Sequence, residues 1–417
     1  MKKYYRILII VFFIGFFACS QYNKLGNLNF ANIYDEKPKN LNPEYSVFHL
    51  NDSISILYCK IYMPELLYLK PENKDSSIAK FKIKYVLYKS YQSKDILDSN
   101  SLFKIDVKNY GLKNNLIIPI NFNAKMPGNY LLKTTFFDLN KNKSTSSYLN
   151  INKENSFSSQ NFQIIDDKNK MLFKTYVSSL QKIRIKSNNS NTKKLYVNYY
   201  FRDFPIADPP YVLSRNSSFN YKPDSSFTLN LTNNKTELFQ LDKKGFYFFQ
   251  SDTLQKKGIS VFVYYDGFPK ISNSFQMLYA LRYLVTKREY DKMFMSKNTK
   301  RAVDEFWIEN SGNPDRARVM IKKYYNRVQN VNHMFSSYLE GWKTDRGMIY
   351  IVYGHPNVVY RGTNYENWIY GEAGNMLSVN FRFLKVNNPF SDNDYILTGK
   401  SQVYKDSWYN AVDVWRR

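Results

Sequence analysis

Cysteine is almost absent. The 417 residues hold two, Cys19 and Cys59, so a disulfide framework cannot hold this chain together. Histidine is nearly as scarce: His49, His333 and His355 are the only three, none with a second metal-binding residue at helical or strand spacing. No His-Glu-x-x-His run occurs, which removes the usual support for a zinc hydrolase. A Gly-x-Ser-x-Gly elbow and a phosphate-cradling glycine loop are also missing. Carboxylate pairs such as Asp304 with Glu305 or Asp345 with Glu366 exist, but sequence spacing does not set the separation that sugar cleavage requires. Acidic residues are outnumbered, leaving a net charge of +25. The lysines are scattered rather than gathered in one arm, so solvated charge is the expected reading, with anionic lipid as the alternative and nucleic acid not expected as a partner. No cofactor is expected.

Long apolar runs are lacking too. The most apolar stretch, Ile7 to Phe17, is shorter than the ~20 residues that span a bilayer. It follows Lys2, Lys3 and Arg6 and precedes Ala18 and Cys19, the layout of a secretory signal over residues 1–18. Phe16-Phe17-Ala18-Cys19 resembles a bacterial lipobox, with Phe where Leu is usual. The resemblance implies that Cys19 becomes the lipidated N-terminus. Residues 19–44 are Asn-rich, carry Pro38 and Pro43, and read as a tether. Ser20 to Asn23 lack the acidic run of a surface-export tag, so the expected location is the outer membrane, facing the periplasm.

From Tyr45 onward the chain reads as successive antiparallel strands. Ser77 to Tyr88, Leu116 to Phe122 and Tyr130 to Phe137 are short, β-branched or aromatic runs between polar turns. Cys59 falls in such a run and is expected to be a buried, inert thiol. Gly128-Asn129-Tyr130 and Gly245-Phe246-Tyr247 each open a strand late in a domain-length segment, resembling the tyrosine corner of immunoglobulin-like sandwiches. The expected architecture is multidomain and mainly β: two tandem immunoglobulin-like β-sandwiches at 45–155 and 156–270, then an α+β part at 271–417. In the latter, Ile321, Tyr324, Val328, Val331, Phe335 and Tyr338 recur at helical steps. A shorter helix is expected over Phe275 to Lys287. Gly341 is expected to end the long helix, and Met348 to Tyr353, Trp368 to Tyr370 and Leu377 to Phe383 to be strands of a small antiparallel sheet.

The series Gly341-Trp342-Lys343-Thr344-Asp345-Arg346-Gly347, then Tyr353-Gly354-His355-Pro356, then Trp368-Ile369-Tyr370, is similar to the GWxTD domain of exported Bacteroidota proteins. The resemblance covers about residues 271 to 417 and implies an envelope lipoprotein without bringing a reaction. His355 stands where that family often has proline. Read physically, Trp342 can plug a helix-to-strand joint while Thr344 and Asp345 accept from turn amides and Arg346 pairs with a carboxylate. The same residues, with Gly341, Gly347, Tyr353, Gly354, Pro356, Trp368 and Tyr370, could instead line a partner groove. The Gly-x-Pro turn before a Trp-x-Tyr strand also resembles small outer-membrane lipoproteins that assist barrel assembly. The function expected is therefore a non-enzymatic envelope adaptor with an envelope-protein partner. The alternative is a glycan- or peptidoglycan-binding protein, although aromatic side chains in strands are first of all packing.

Overall fold

The computed structural model describes residues 24–35, 41–72, 75–108, 114–213 and 220–416. The leader, the lipobox and Cys19 lie outside them. Among the described residues, no helix is long and apolar enough to cross a membrane. The chain is mainly β, with several sheets and a helical region toward its C-terminus.

The first seven strands are β1 (Glu44–His49), β2 (Ile54–Tyr62), β3 (Ile78–Tyr88), β4 (Ile96–Val107), β5 (Asn115–Asn123), β6 (Gly128–Asp138) and β7 (Lys143–Lys153). They form two antiparallel sheets, β1-β2-β5 and β4-β3-β6-β7. Alternation along β2 and β5 sends Leu57, Cys59, Ile61, Ile118, Ile120 and Phe122 to the same core as Phe81, Ile83, Leu132 and Phe136 of the other sheet. Cys59 has no exposed surface, and burial pushes its thiol up to about 12. His49 is equally buried, held between the Ser55 hydroxyl at 2.9 Å and the Asn152 carbonyl at 3.0 Å. The Tyr130 hydroxyl donates to the Lys125 carbonyl at 2.6 Å, five residues upstream.

Eight further strands follow: β8 (Phe162–Asp166), β9 (Lys182–Ser187), β10 (Lys194–Tyr200), β11 (Ser225–Thr232), β12 (Lys235–Thr236), β13 (Phe239–Gln240), β14 (Gly245–Gln250) and β15 (Ile259–Val263). They make one connected sheet rather than two, because the short β12 bridges β11 to β9. Ile183 and Ile185 of β9 share a core with Val197, Phe249 and Val261 of β10, β14 and β15, so the sheet folds back over itself.

The C-terminal region begins with four helices: α1 (Ser274–Leu281), α2 (Lys287–Phe294), α3 (Thr299–Ser311) and α4 (Pro314–Phe335). Each starts at an Asn or Thr whose side chain accepts from an amide of the first turn: Asn273, Thr286, Asn298 and Asn313. The helical stripe is confirmed for Tyr324, Val328, Val331 and Phe335, all buried, whereas Tyr338 lies beyond the helix end. Next come α5 (Asp345–Tyr353) and a four-stranded antiparallel sheet of β16 (Val358–Arg361), β17 (Tyr365–Tyr370), β18 (Val379–Lys385) and β19 (Tyr395–Thr398). The last element is α6 (Lys405–Asp413).

Three expectations are corrected here. The helix expected over Phe275 to Lys287 stops at Leu281, and Lys287 opens the next helix behind its Thr286 cap. Met348 to Tyr353 is helix, not strand. Every side chain from Met348 to Val352 is buried, so this short helix is apolar all round and carries no polar face to mark its period. The tether is also shorter than expected, because residues 24–35 are folded. Leu25, Phe30, Ala31 and Tyr34 enter the C-terminal core, and the Phe30 amide donates to the Val359 carbonyl at 2.8 Å. The Gly26 amide donates to the Tyr91 carbonyl at 2.9 Å, joining the same segment to the first β unit.

Candidate functional site

The loop after α4 doubles back on the helix that precedes it. Gly341 does not end the long helix as expected: α4 ends at Phe335 with Ser336 in extended conformation, and Gly341 opens a short 3-10 turn. Glycine is needed for another reason. A Cβ at Gly341 would lie 1.9 Å from the Val331 carbonyl oxygen, and one at Gly347 would lie 1.8 Å from the Gly341 carbonyl oxygen. The turn and α5 are thus pressed directly against backbone. Gly347→Ala is expected to cost about 1–3 kcal/mol or more of stability through this overlap, read by denaturant unfolding. An unchanged midpoint would show that the backbone yields freely.

Trp342 is buried at 4% exposure between the helices. Its amide donates to Asn332 Oδ1 at 3.1 Å, and its carbonyl accepts from the Tyr283 hydroxyl at 3.0 Å. The joint it fills links helix to helix, not helix to strand. Thr344 is the N-cap of α5: its Oγ1 accepts from the Gly347 amide at 3.1 Å and donates to the Gly341 carbonyl at 2.8 Å. Asp345 accepts from the Leu397 amide at 2.8 Å and pairs with Lys400 at 3.2 Å. Burial nevertheless raises its pKa, against the pull of Lys400 and the Leu397 amide.

Arg346 reaches into a buried charge cluster that the motif alone does not reveal. Glu366, with no exposed surface, accepts from Arg361 at 3.0 Å and Arg346 at 3.4 Å. The Tyr34 hydroxyl donates to its carboxylate at 2.8 Å and Trp368 Nε1 at 3.0 Å. The β16–β17 register sets Arg361 directly across from Glu366, and Trp368 follows two residues later on the same face. Burial works against the carboxylate charge, but Arg361 and Arg346 more than offset it and hold Glu366 below the ordinary value. The Arg346 guanidinium also lies 3.9 Å from the centre of the Tyr395 ring and bonds the Asn393 carbonyl at 2.9 Å.

The remaining motif residues complete the same core. Gly354 caps α5 with a positive φ of 86°, and the Tyr370 hydroxyl donates to its carbonyl at 2.8 Å. Tyr353 shares a hydrogen bond with Ser407 of α6 at 3.0 Å. Pro356 is buried, and His355 Nε2 donates to the Ala31 carbonyl at 2.8 Å. Sequence reasoning missed Tyr34, Arg361 and Asn393, which meet the motif only in space.

A separate cleft of about 380 Å³ lies where the two β units meet the C-terminal helices. Tyr176, Ser260, Phe390, Lys174, Lys257 and His333 line it, and no residue from Gly341 to Gly347 does. Ser260 is buried and its hydroxyl has no protein partner, as is the Tyr176 hydroxyl. Burial, with Lys174 adding to it, lowers the His333 pKa to about 4, so its ring is neutral at physiological pH. Among the described residues no cluster of His, Cys, Asp and Glu is arranged to hold a metal ion.

No curated protein matches this chain. The family model of the GWxTD domain matches residues 245–417. The match begins at Gly245, the first residue of β14, and so includes the last two strands of the second β unit. The packing gives a reason: Phe246, Phe248 and Phe262 of those strands gather around Phe390, beyond β18. The C-terminal 173 residues of this chain thus match the GWxTD domain.

Proposed function

We propose that this protein is a non-enzymatic lipoprotein of the Bacteroidota type, anchored through Cys19 in the outer membrane with its folded part in the periplasm, and that its GWxTD domain serves as an envelope adaptor or assembly factor. The observation that carries the proposal is the docked N-terminal segment. Leu25 is already buried in the GWxTD core, six residues after Cys19. Six extended residues span about 20 Å. A lipid on Cys19 therefore holds this domain close to the membrane, and the β units project from it rather than carrying it away. The motif residues support an adaptor by building its rigid interior, since Trp342, Thr344, Asp345 and Arg346 spend their polar groups on internal bonds. In the first β unit, the three- and four-stranded order and the Tyr130 hydrogen bond support an immunoglobulin-like sandwich. The second unit's Tyr247 hydroxyl lies 3.4 Å from the Lys243 carbonyl, in keeping with the same family of folds.

The test is photo-crosslinking in intact cells from Val319, an exposed position on α4. Protein adducts that disappear in Cys19→Ser, together with loss of lipid labelling and of membrane fractionation in that variant, are expected. Unchanged membrane association of Cys19→Ser sinks the anchor, and absence of protein adducts sinks the adaptor.

The three-unit cleft favours one second reading, glycan binding. Its aromatic walls and the unpartnered Ser260 and Tyr176 hydroxyls match the faces and hydroxyls of a sugar. A glycan array with the soluble chain, beside Ser260→Val, separates the readings: array signal lost in the variant favours the cleft.

A further inference from the structure

The motif residues are buried or half-buried, and β4 offers an exposed surface elsewhere on the chain. It is a 12-residue strand at the edge of its sheet, paired on one side only, with β3. Its outward row contains Phe103, Ile105 and Val107, each 51–53% exposed, and the register shifts at Leu97 near its start. An edge strand of this length with an apolar face is a template for another strand unless something blunts it. No proline or bulge interrupts its ladder from Val107 to Asp98.

The charges around this edge are mostly positive, five lysines against Asp98 and Asp106. On the outward face Lys80 lies opposite Ile105, Lys82 opposite Phe103 and Lys84 opposite Ser101. Lys104 and Lys108 are exposed on the other face of the same edge. The acids of β4 accept from neutral donors and keep their charge, Asp98 from the Tyr85 hydroxyl at 3.2 Å and the Asn123 amide at 2.6 Å, and Asp106 from the Tyr68 hydroxyl at 2.8 Å, so the lysines outnumber them without being cancelled. A second copy would bring lysines against lysines on a chain of net charge +25.

We propose that β4 is a docking strand for an extended acidic segment of another protein, which adds beside it as a fifth strand. Main-chain hydrogen bonds would supply affinity. Alternation would supply specificity, with one row of the incoming strand apolar beside Phe103, Ile105 and Val107 and the other acidic beside Lys104 and Lys108. This contact is independent of the adaptor reading, since it lies outside the GWxTD domain.

The probe is a fluorescein-labelled ten-residue peptide of alternating valine and glutamate, titrated by fluorescence polarisation against the soluble chain. The same peptide with lysine in place of glutamate is the control. Binding of the glutamate peptide alone is expected, weakened roughly tenfold or more in Phe103→Ser/Ile105→Ser and in Lys104→Glu/Lys108→Glu. These side chains are exposed, so both variants should melt with the parent. Should either unfold, amide exchange in the parent decides, because bound peptide must slow exchange along β4. The proposal is overturned by absence of binding, equal binding of the lysine peptide, or indifference to both variants. Self-association in sedimentation that Phe103→Ser/Ile105→Ser abolishes would assign the edge to a second copy instead, and preference for anionic vesicles over the peptide would assign it to lipid.

Discussion

Glu366→Gln is expected to lower the unfolding free energy by about 3–5 kcal/mol, because the change leaves two guanidinium groups in the core with no opposing charge. Arg346 is 3% exposed at its side chain and Arg361 16%, so solvent cannot replace the lost carboxylate. The amide could still accept from Tyr34 or Trp368, yet those bonds do not neutralise either arginine. Urea unfolding of the soluble chain measures the cost. A loss under about 1 kcal/mol would mean that the cluster is open to water. The pH dependence has a definite sign. Glu366 has a folded pKa below its ordinary 4.5, so its contribution is present above that value and is lost as pH falls through the folded pKa. The parent should therefore lose stability in acid more steeply than Glu366→Gln. Asp345 acts in the opposite direction, since its raised pKa makes its charge a burden that acid relieves.

Trp342→Ala is expected to cost about 3–5 kcal/mol, a large share of the roughly 5–15 kcal/mol that holds a domain together. The ring packs edge-on against Tyr283 at 6.3 Å and lies among the buried side chains of the GWxTD core. Its removal leaves a cavity between α4 and α5 that rigid backbone contacts at Gly341 and Gly347 cannot close. Thermal melting should use the soluble chain from residue 20 and not a 271–417 fragment, since Phe30, Tyr34 and Tyr91 belong to the same core. Asp345→Asn should be milder, a change of less than about 2 kcal/mol, because an amide oxygen still accepts from the Leu397 amide and the charge that burial disfavours is removed while Lys400 loses its partner. A Trp342→Ala chain that melts like its parent would contradict the structural role assigned to the ring.

Strand alternation made most of the β elements legible in advance. Ser77 to Tyr88, Leu116 to Phe122 and Tyr130 to Phe137 are found as β3, β5 and β6 with shifts of one or two residues at their ends. The long helix was legible because its buried stripe keeps a period of three and four. Met348 to Tyr353 was not. A continuous β-branched and aromatic run reads as strand, and only burial on every side lets such a run be helix. The Thr344 cap was visible in the sequence, but its partner amide at Gly347 becomes meaningful once the helix is known.

The buried cluster shows where local pattern stops. Glu366, Arg361 and Trp368 follow from one hairpin register, and short-range sequence contains them all. Tyr34 comes from 332 positions away and Asn393 from 47 positions beyond Arg346. Nothing in the Asn-rich segment near Tyr34 marks it as core, because a single tyrosine in a polar stretch has no periodicity to detect. Sequence by itself determined the strand-rich body, the α4 stripe and the GWxTD series, each a repeat of residues along the chain. The folded N-terminal segment, the helical α5 and the pairing of Arg346 with Glu366 were decided by tertiary structure. Their free energy comes from removing rings and charges from water together, and that requires partners that are neighbours only after folding.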